Sequence, residues 1–225
     1  MEADQVLEAY VKDMSSELGT LFDALSHELS WVHWRWNQYR ILFGEKQSRI
    51  ELLNESAPFF FRVIQNVLFE ETLLGIARLI DPVDSGTGKY NLTVQALPPL
   101  CESKIREIQR LVEEAANAGE FAKDWRNRHI AHRDLDLVLR KSAKMLEPAT
   151  REKVEVSLSA LRDVLNAVEH EYCKGKITGY YSSSPWDAEA LLHVLRDGSL
   201  REKDRQECWN RGERHADDFK ALEPI

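Results

Sequence analysis

Glycine and proline are scarce in this chain, ten and seven of 225 residues, and stretches that alternate apolar with polar residues are few. That combination excludes a sandwich or barrel built of many short strands and tight turns. Cysteine is scarcer still. Cys101, Cys173 and Cys208 are odd in number and far apart, with no CxxC pair and no Cys/His cluster at zinc-ligand spacing. A disulfide scaffold and a zinc finger are excluded, and reduced thiols in a cytoplasmic protein are expected. No uninterrupted apolar run approaches the roughly 18–20 residues that a membrane-spanning helix needs. The most apolar stretch, "PFFFRVIQNVLFEETLLGIARLI", is broken by Arg62, Gln65, Asn66, Glu70 and Glu71, so a buried helix is expected and no membrane association. The opening "MEADQVLEAYVKDMSSELG" is acidic and amphipathic and has no basic region before an apolar one, which argues against a secretory signal. A formal net charge of −8 gives the whole chain no attraction to nucleic acid.

What is present is ordinary for a globular protein: 43% hydrophobic and 30% charged residues. The apolar residues recur at spacings of three and four, the signature of amphipathic helices. Such a pattern runs from about Asp4 to Phe43, through Val6, Leu7, Tyr10, Leu18, Phe22 and Leu25, and stops at Gly44. Gly19 is a point where it kinks or divides. A second helix starts near Ser56 with Pro58 in its first turn, where proline is tolerated. It ends before "DPVDSGTGKYN", a surface loop. Phe60, Ile64, Val67, Leu68 and Leu74 give it a broad apolar stripe and make it the expected central element. Shorter helices fit Leu92–Leu97, Lys104–Ala116 and Glu120–His132. Thr150 is an N-cap for a helix reaching Cys173. After the linker "GKITGYYSSSPWD", Ser184 and Pro185 signal another helix start. The pattern predicts an all-α bundle over residues 1–175, with a helical C-terminal extension over 176–225 packed on it.

The stretch "DWRNRHIAHRD", Asp124 to Asp134, sets three arginines and two histidines within eleven residues of an acidic chain. Arginine keeps its charge at every working pH, whereas histidine titrates near neutrality. From Lys123 to Lys144 seven basic residues stand against three acidic ones, a local patch suited to phosphates. Arg126 is followed by Asn127 and, after five intervening residues, by His132. His132 can take or give a proton near pH 7, and Arg126 offers a charged fork to phosphate oxygens. Asn127 can orient either the phosphate or the histidine. Six residues of ideal helix leave two side chains roughly 120° apart and about 9 Å apart along the axis. A bend near His132, or a second copy of the segment across a twofold axis, would be needed to aim both at one phosphate.

The order Arg-Asn-x4-His near the end of a helix resembles the signature of the HEPN superfamily. "WRNRHIAHRD", the Trp-bearing N-terminal helix and "FFFRVIQNVLFEETLLGIARLIDP" together look closest to the AbiU-type branch of phage abortive-infection proteins. The resemblance implies a HEPN-like helical bundle that pairs as a homodimer, its two motifs facing a shared cleft. It also implies a metal-independent endoribonuclease without a cofactor, in which the 2′-hydroxyl attacks the adjacent phosphate and leaves a 2′,3′-cyclic end. Arg126, His132 and Asn127 would then be the catalytic group. Arg128, Arg133 and His129 would contact the RNA, and Glu70 or Glu71 would hold Arg126 in place. A toxin or antiviral defence role, with a neutralising antitoxin, is the family expectation. Other members of the superfamily are silent modules that bind RNA or a protein partner, and that reading stays open, as does a plain helical dimer. Trp31 and Trp34, with Phe59, Phe60 and Phe61, read more simply as core or interface than as base-stacking residues.

Overall fold

The computed structural model describes residues 3–86, 88–131, 135–139, 145–180 and 187–216, with backbone alone for Ala3, Asp4, Asp136 and Leu137. The fold is all-α. Helices run α1 Ala3–Asp13, α2 Ser16–Tyr39, α3 Gln47–Ser56, α4 Pro58–Leu79, α5 Ile105–Ala118, α6 Glu120–Trp125, α7 Leu135–Val138, α8 Arg151–Tyr172 and α9 Ala188–Asn210. Among the described residues there is no strand, only a single antiparallel bridge between Asp84 and Tyr90. None of the described helices is long and apolar enough to cross a membrane.

Two compact units divide the chain. One comprises residues 1–37 and 67–182, the other residues 38–66 and 183–225. The segment after the linker therefore shares its unit with 38–66, a pairing that a linear boundary near 175 does not convey.

The first unit takes its core from α2, the second half of α4, α5 and α8. On α2, Leu18, Phe22, Leu25, Leu29, Val32 and Trp36 are buried at alternating steps of four and three, so one stripe of the helix faces inward. Val154, Leu158, Leu161, Val164, Leu165 and Val168 do the same for α8, and α5 lies along α8 with Ile108, Val112 and Ala115 inside. Thr150 caps α8 as its sequence position indicates, its side chain accepting from the Lys153 amide.

Three local expectations change. The long N-terminal helix breaks at Met14–Ser15, not at Gly19; the Ser15 hydroxyl accepts from the Leu18 amide at 3.1 Å and so starts α2. Gly19 instead lets α2 pass against α1, since a Cβ there would sit 2.7 Å from the Tyr10 carbonyl. Leu92–Leu97 is not one α-helix; two 3₁₀ turns, Val94–Ala96 and Pro98–Leu100, occupy the region, because Pro98 and Pro99 cannot donate the bonds of a continuing helix. On α4 the apolar stripe does not mark the buried face. Phe59 and Phe60 are exposed, as are Val63 and Val67, whereas Phe61, Leu73, Ile76, Ala77 and Leu79 are buried.

In the second unit, α3 was not evident from sequence, since Leu53 is its one fully buried side chain. It lies along α9, tied by Arg49 to Glu189 at 2.9 Å and by Lys203 to Glu55 at 3.3 Å. A five-residue π-helical turn, Arg40–Gly44, precedes α3. The capping residue of α9 is Asp187, whose carboxylate accepts from the Glu189 amide at 2.9 Å; the earlier start signal at Ser184 and Pro185 lies outside the described residues.

Candidate functional site

α6 does not continue regularly through the Arg-Asn-x4-His segment. At Arg126 it widens into a π-helical turn, Arg126–Ile130, closed by the Ala131 amide donating to the Arg126 carbonyl at 2.8 Å. Single π turns inside α-helices occur frequently at functional sites, where one extra residue per turn re-aims side chains. The turn carries Arg126, Asn127, Arg128 and His129 and has no fully buried residue.

Arg126 is the most constrained of these. Its Nε donates to the Asn127 amide oxygen at 3.0 Å, and its Nη1 forms a short ion pair with Asp81 Oδ2. Both partners of that pair are largely shielded, with side chains 22% and 17% exposed. Two of the five guanidinium donors are spent on these contacts, and among the described residues the other three have no given partner.

The carboxylate on Arg126 thus comes from Asp81, and the expectation that Glu70 or Glu71 holds Arg126 is corrected. Glu70 lies against His129 instead, its Oε1 3.7 Å from Nε2. The reason is the length of α4. Glu70 and Leu79 are nine residues apart, about 13 Å along the helix axis, and Arg126 meets the chain just past the far end. The two side chains of the π turn therefore part: Arg126 meets Asp81 just past the C-terminal end of α4, and His129 meets Glu70 near its middle. His129 also meets the Trp125 ring edge-to-face at 5.3 Å, and Trp125 in turn meets Phe69 at 5.9 Å.

Arg128 pairs with Asp124 at 3.3 Å and is mostly shielded, so it is not a freely solvated cation. Asp124 and Trp125 also fasten the segment ahead of α8. The Glu147 amide donates to Asp124 Oδ2 at 3.0 Å, and the Trp125 indole donates to the Glu147 carbonyl at 2.7 Å. His132 and Arg133 lie outside the described residues, so their placement relative to Arg126 is not given by the structure. Among the described residues no group of three or more His, Cys, Asp or Glu side chains is arranged to hold a metal ion.

Asp81 escaped the sequence reading. Its signal was an acidic residue followed by Pro82 at the end of the most apolar helix, which reads equally well as the start of a loop. What fixes it is Thr93, which is fully buried. The Thr93 hydroxyl lies 3.0 Å from the Leu79 carbonyl and 2.7 Å from that of Asp81, and it accepts from the Gln95 amide at 3.2 Å. The Gln95 side chain donates to the Ile80 carbonyl at 2.8 Å. The single Thr93 proton serves one of the Leu79 and Asp81 carbonyls at a time; with Gln95 on the Ile80 carbonyl, it caps the helix end and holds the Asp81 backbone in one place.

The HEPN_AbiU2 family model, described as AbiU2, matches residues 15–194. No curated protein and no solved structure matches the chain. The family match spans the α2 stripe, α4 with Asp81 and the whole Arg-Asn-x4-His segment, and on that ground the chain belongs to the AbiU2 family of HEPN domains, a family linked to abortive infection.

Proposed function

We propose that this protein is a metal-independent endoribonuclease acting as a homodimer in the cytoplasm, a toxin or antiviral effector within abortive infection. The supporting observation is Arg126, partly shielded, fixed by Asp81 and Asn127 on a π turn and still holding donors for an anion. A cation held in advance stabilises charge that develops on a phosphate without reorganising during the reaction.

In the proposed reaction His132 removes the proton from an RNA 2′-hydroxyl. The 2′-oxygen bonds to the adjacent phosphorus, the bond from phosphorus to the 5′-oxygen breaks, and the departing oxygen takes a proton from the second copy's histidine. The products are a 2′,3′-cyclic phosphate and a free 5′-hydroxyl. Arg126 binds the non-bridging oxygens, and Asn127 keeps Nε of Arg126 directed. Arg133, Arg128 and His129 contact the flanking RNA, and a neutralising antitoxin keeps the enzyme in check.

A second reading has an observation of its own. The Asp81 carboxylate neutralises Arg126, which suits a silent module that binds RNA or a partner protein and uses the pair only for stability.

Incubating RNA with the protein in EDTA separates the two readings. The enzyme predicts cyclic-ended fragments that vanish with Arg126→Ala and with His132→Ala, both variants remaining folded. Intact RNA with wild type, or equal cutting by all three proteins, rejects the ribonuclease.

A further inference from the structure

The ion pair at the end of α4 joins two unequal partners. Arg126 reaches its position through a long side chain with several rotatable bonds, so it follows whatever holds its head. Asp81 has a short side chain on a backbone that cannot move far. The Asp81 amide donates to the Arg78 carbonyl at 3.3 Å, and the Asp81 carbonyl accepts from buried Thr93. Ile80 before it is fully buried and held by Gln95. A Cβ on Gly119 would lie 2.6 Å from the Ile80 Cδ1 atom, so the start of α6 is seated against this turn as well. Pro82 restricts Asp81 from the other side. Asp81 is the fixed member, and Arg126 adapts to it.

We infer that Asp81 is a positioning residue: its carboxylate, carried on a backbone that Thr93 holds through the Asp81 main-chain carbonyl, sets the direction in which the Arg126 guanidinium presents its remaining N–H groups to an RNA phosphate. The inference rests on the proposed phosphate-binding role of Arg126. With Nε on Asn127 and Nη1 on Asp81, the guanidinium plane is fixed at two points, which leaves it no free rotation about its last bonds. Asp81 touches neither the phosphate nor the migrating protons. It acts through Arg126 alone.

The test uses the full-length protein with Asp81→Asn, which keeps an acceptor but removes the charge, and Asp81→Glu, which keeps the charge on a longer arm. The expected result with RNA as substrate is a fall in kcat of about tenfold to a hundredfold for Asp81→Asn, a KM within about threefold of wild type, and partial recovery with Asp81→Glu. Thermal melting reports stability separately.

Two further measurements need no cleavage. Nitrogen-15 NMR should show hindered, resolved Nη signals for Arg126 in wild type that collapse in Asp81→Asn. Affinity for an uncleavable 2′-O-methyl RNA should fall in Arg126→Ala. RNA left intact by wild type defeats the ribonuclease reading while the NMR comparison still judges Asp81. Freely rotating Arg126 signals in wild type overturn the inference even where Asp81→Asn fails to fold. A folded Asp81→Asn with unchanged kcat and unchanged Arg126 signals overturns it too.

Discussion

The Thr93 hydroxyl lies 2.7 Å from the carbonyl oxygen of Asp81. A buried threonine twelve residues along the chain thereby fixes the turn that faces Arg126, with no contact to Arg126 itself. Thr93→Val keeps the shape but removes the hydroxyl, leaving the carbonyl that accepted its proton and the Gln95 amide short of a partner. The expected loss is about 1–3 kcal/mol of stability, read by urea denaturation, together with slower RNA cleavage if the ribonuclease proposal holds. Thr93→Ser should restore most of both. Equal stability of all three proteins would remove Thr93 from the account.

Gly19 gives a prediction whose sign departs from helix propensity. Alanine is favoured over glycine within a helix by up to about 1 kcal/mol. At this position the added methyl would lie 2.7 Å from both the carbonyl carbon and the oxygen of Tyr10, backbone atoms that cannot rotate away. Gly19→Ala should therefore destabilise the protein by about 1–3 kcal/mol, measured by chemical denaturation.

His33 makes stability depend on pH. It is buried on α2, with its ring stacked near Tyr180 at 5.8 Å. Burial, and secondarily the nearby Arg162 charge, depress its pKa to about 4. The unfolded chain takes up this proton near pH 6.5, whereas the folded chain resists it until about pH 4. Between those values the unfolded state binds more protons, so stability falls as the pH is lowered from 6.5 to 4. At full extent the effect is about 3 kcal/mol. Melting temperatures of wild type and His33→Gln across this range should converge toward acid, the variant having the shallower slope.

Trp125 fastens the segment before α8 through its indole N–H. Trp125→Phe keeps the ring against Phe69 and His129 but loses the 2.7 Å bond to the Glu147 carbonyl. The expected cost is about 1 kcal/mol, with faster proteolysis near residues 145–150. Unchanged cleavage kinetics would show the bond to be dispensable.

The helical class, the α8 cap and the core stripe of α2 were legible because each depends on local periodicity or on a cap a few residues away. The exposed half of α4 was not. Phe59, Phe60, Val63 and Val67 look apolar wherever they sit, and burial depends on what the fold brings over them. The site divides in the same way. Arg126 and Asn127 were legible as neighbours, but the π turn at Arg126–Ile130 was not, and the carboxylate on Arg126 arrives from 45 positions away. Glu70 and Glu71, on the same apolar helix, were equally plausible partners in sequence. Only the rise of α4 decides in favour of Asp81.

The division of the chain into interleaved units sets a timetable for synthesis. Residues 38–66 share a unit with residues 183–225, and more than a hundred residues must be translated between them. At about 5–20 residues per second, the apolar side chains of Ile41, Leu42 and Leu53, buried in the finished fold, wait on the order of ten seconds for α9 to leave the ribosome. During that interval these side chains lack the α9 surface packed beside them in the finished fold.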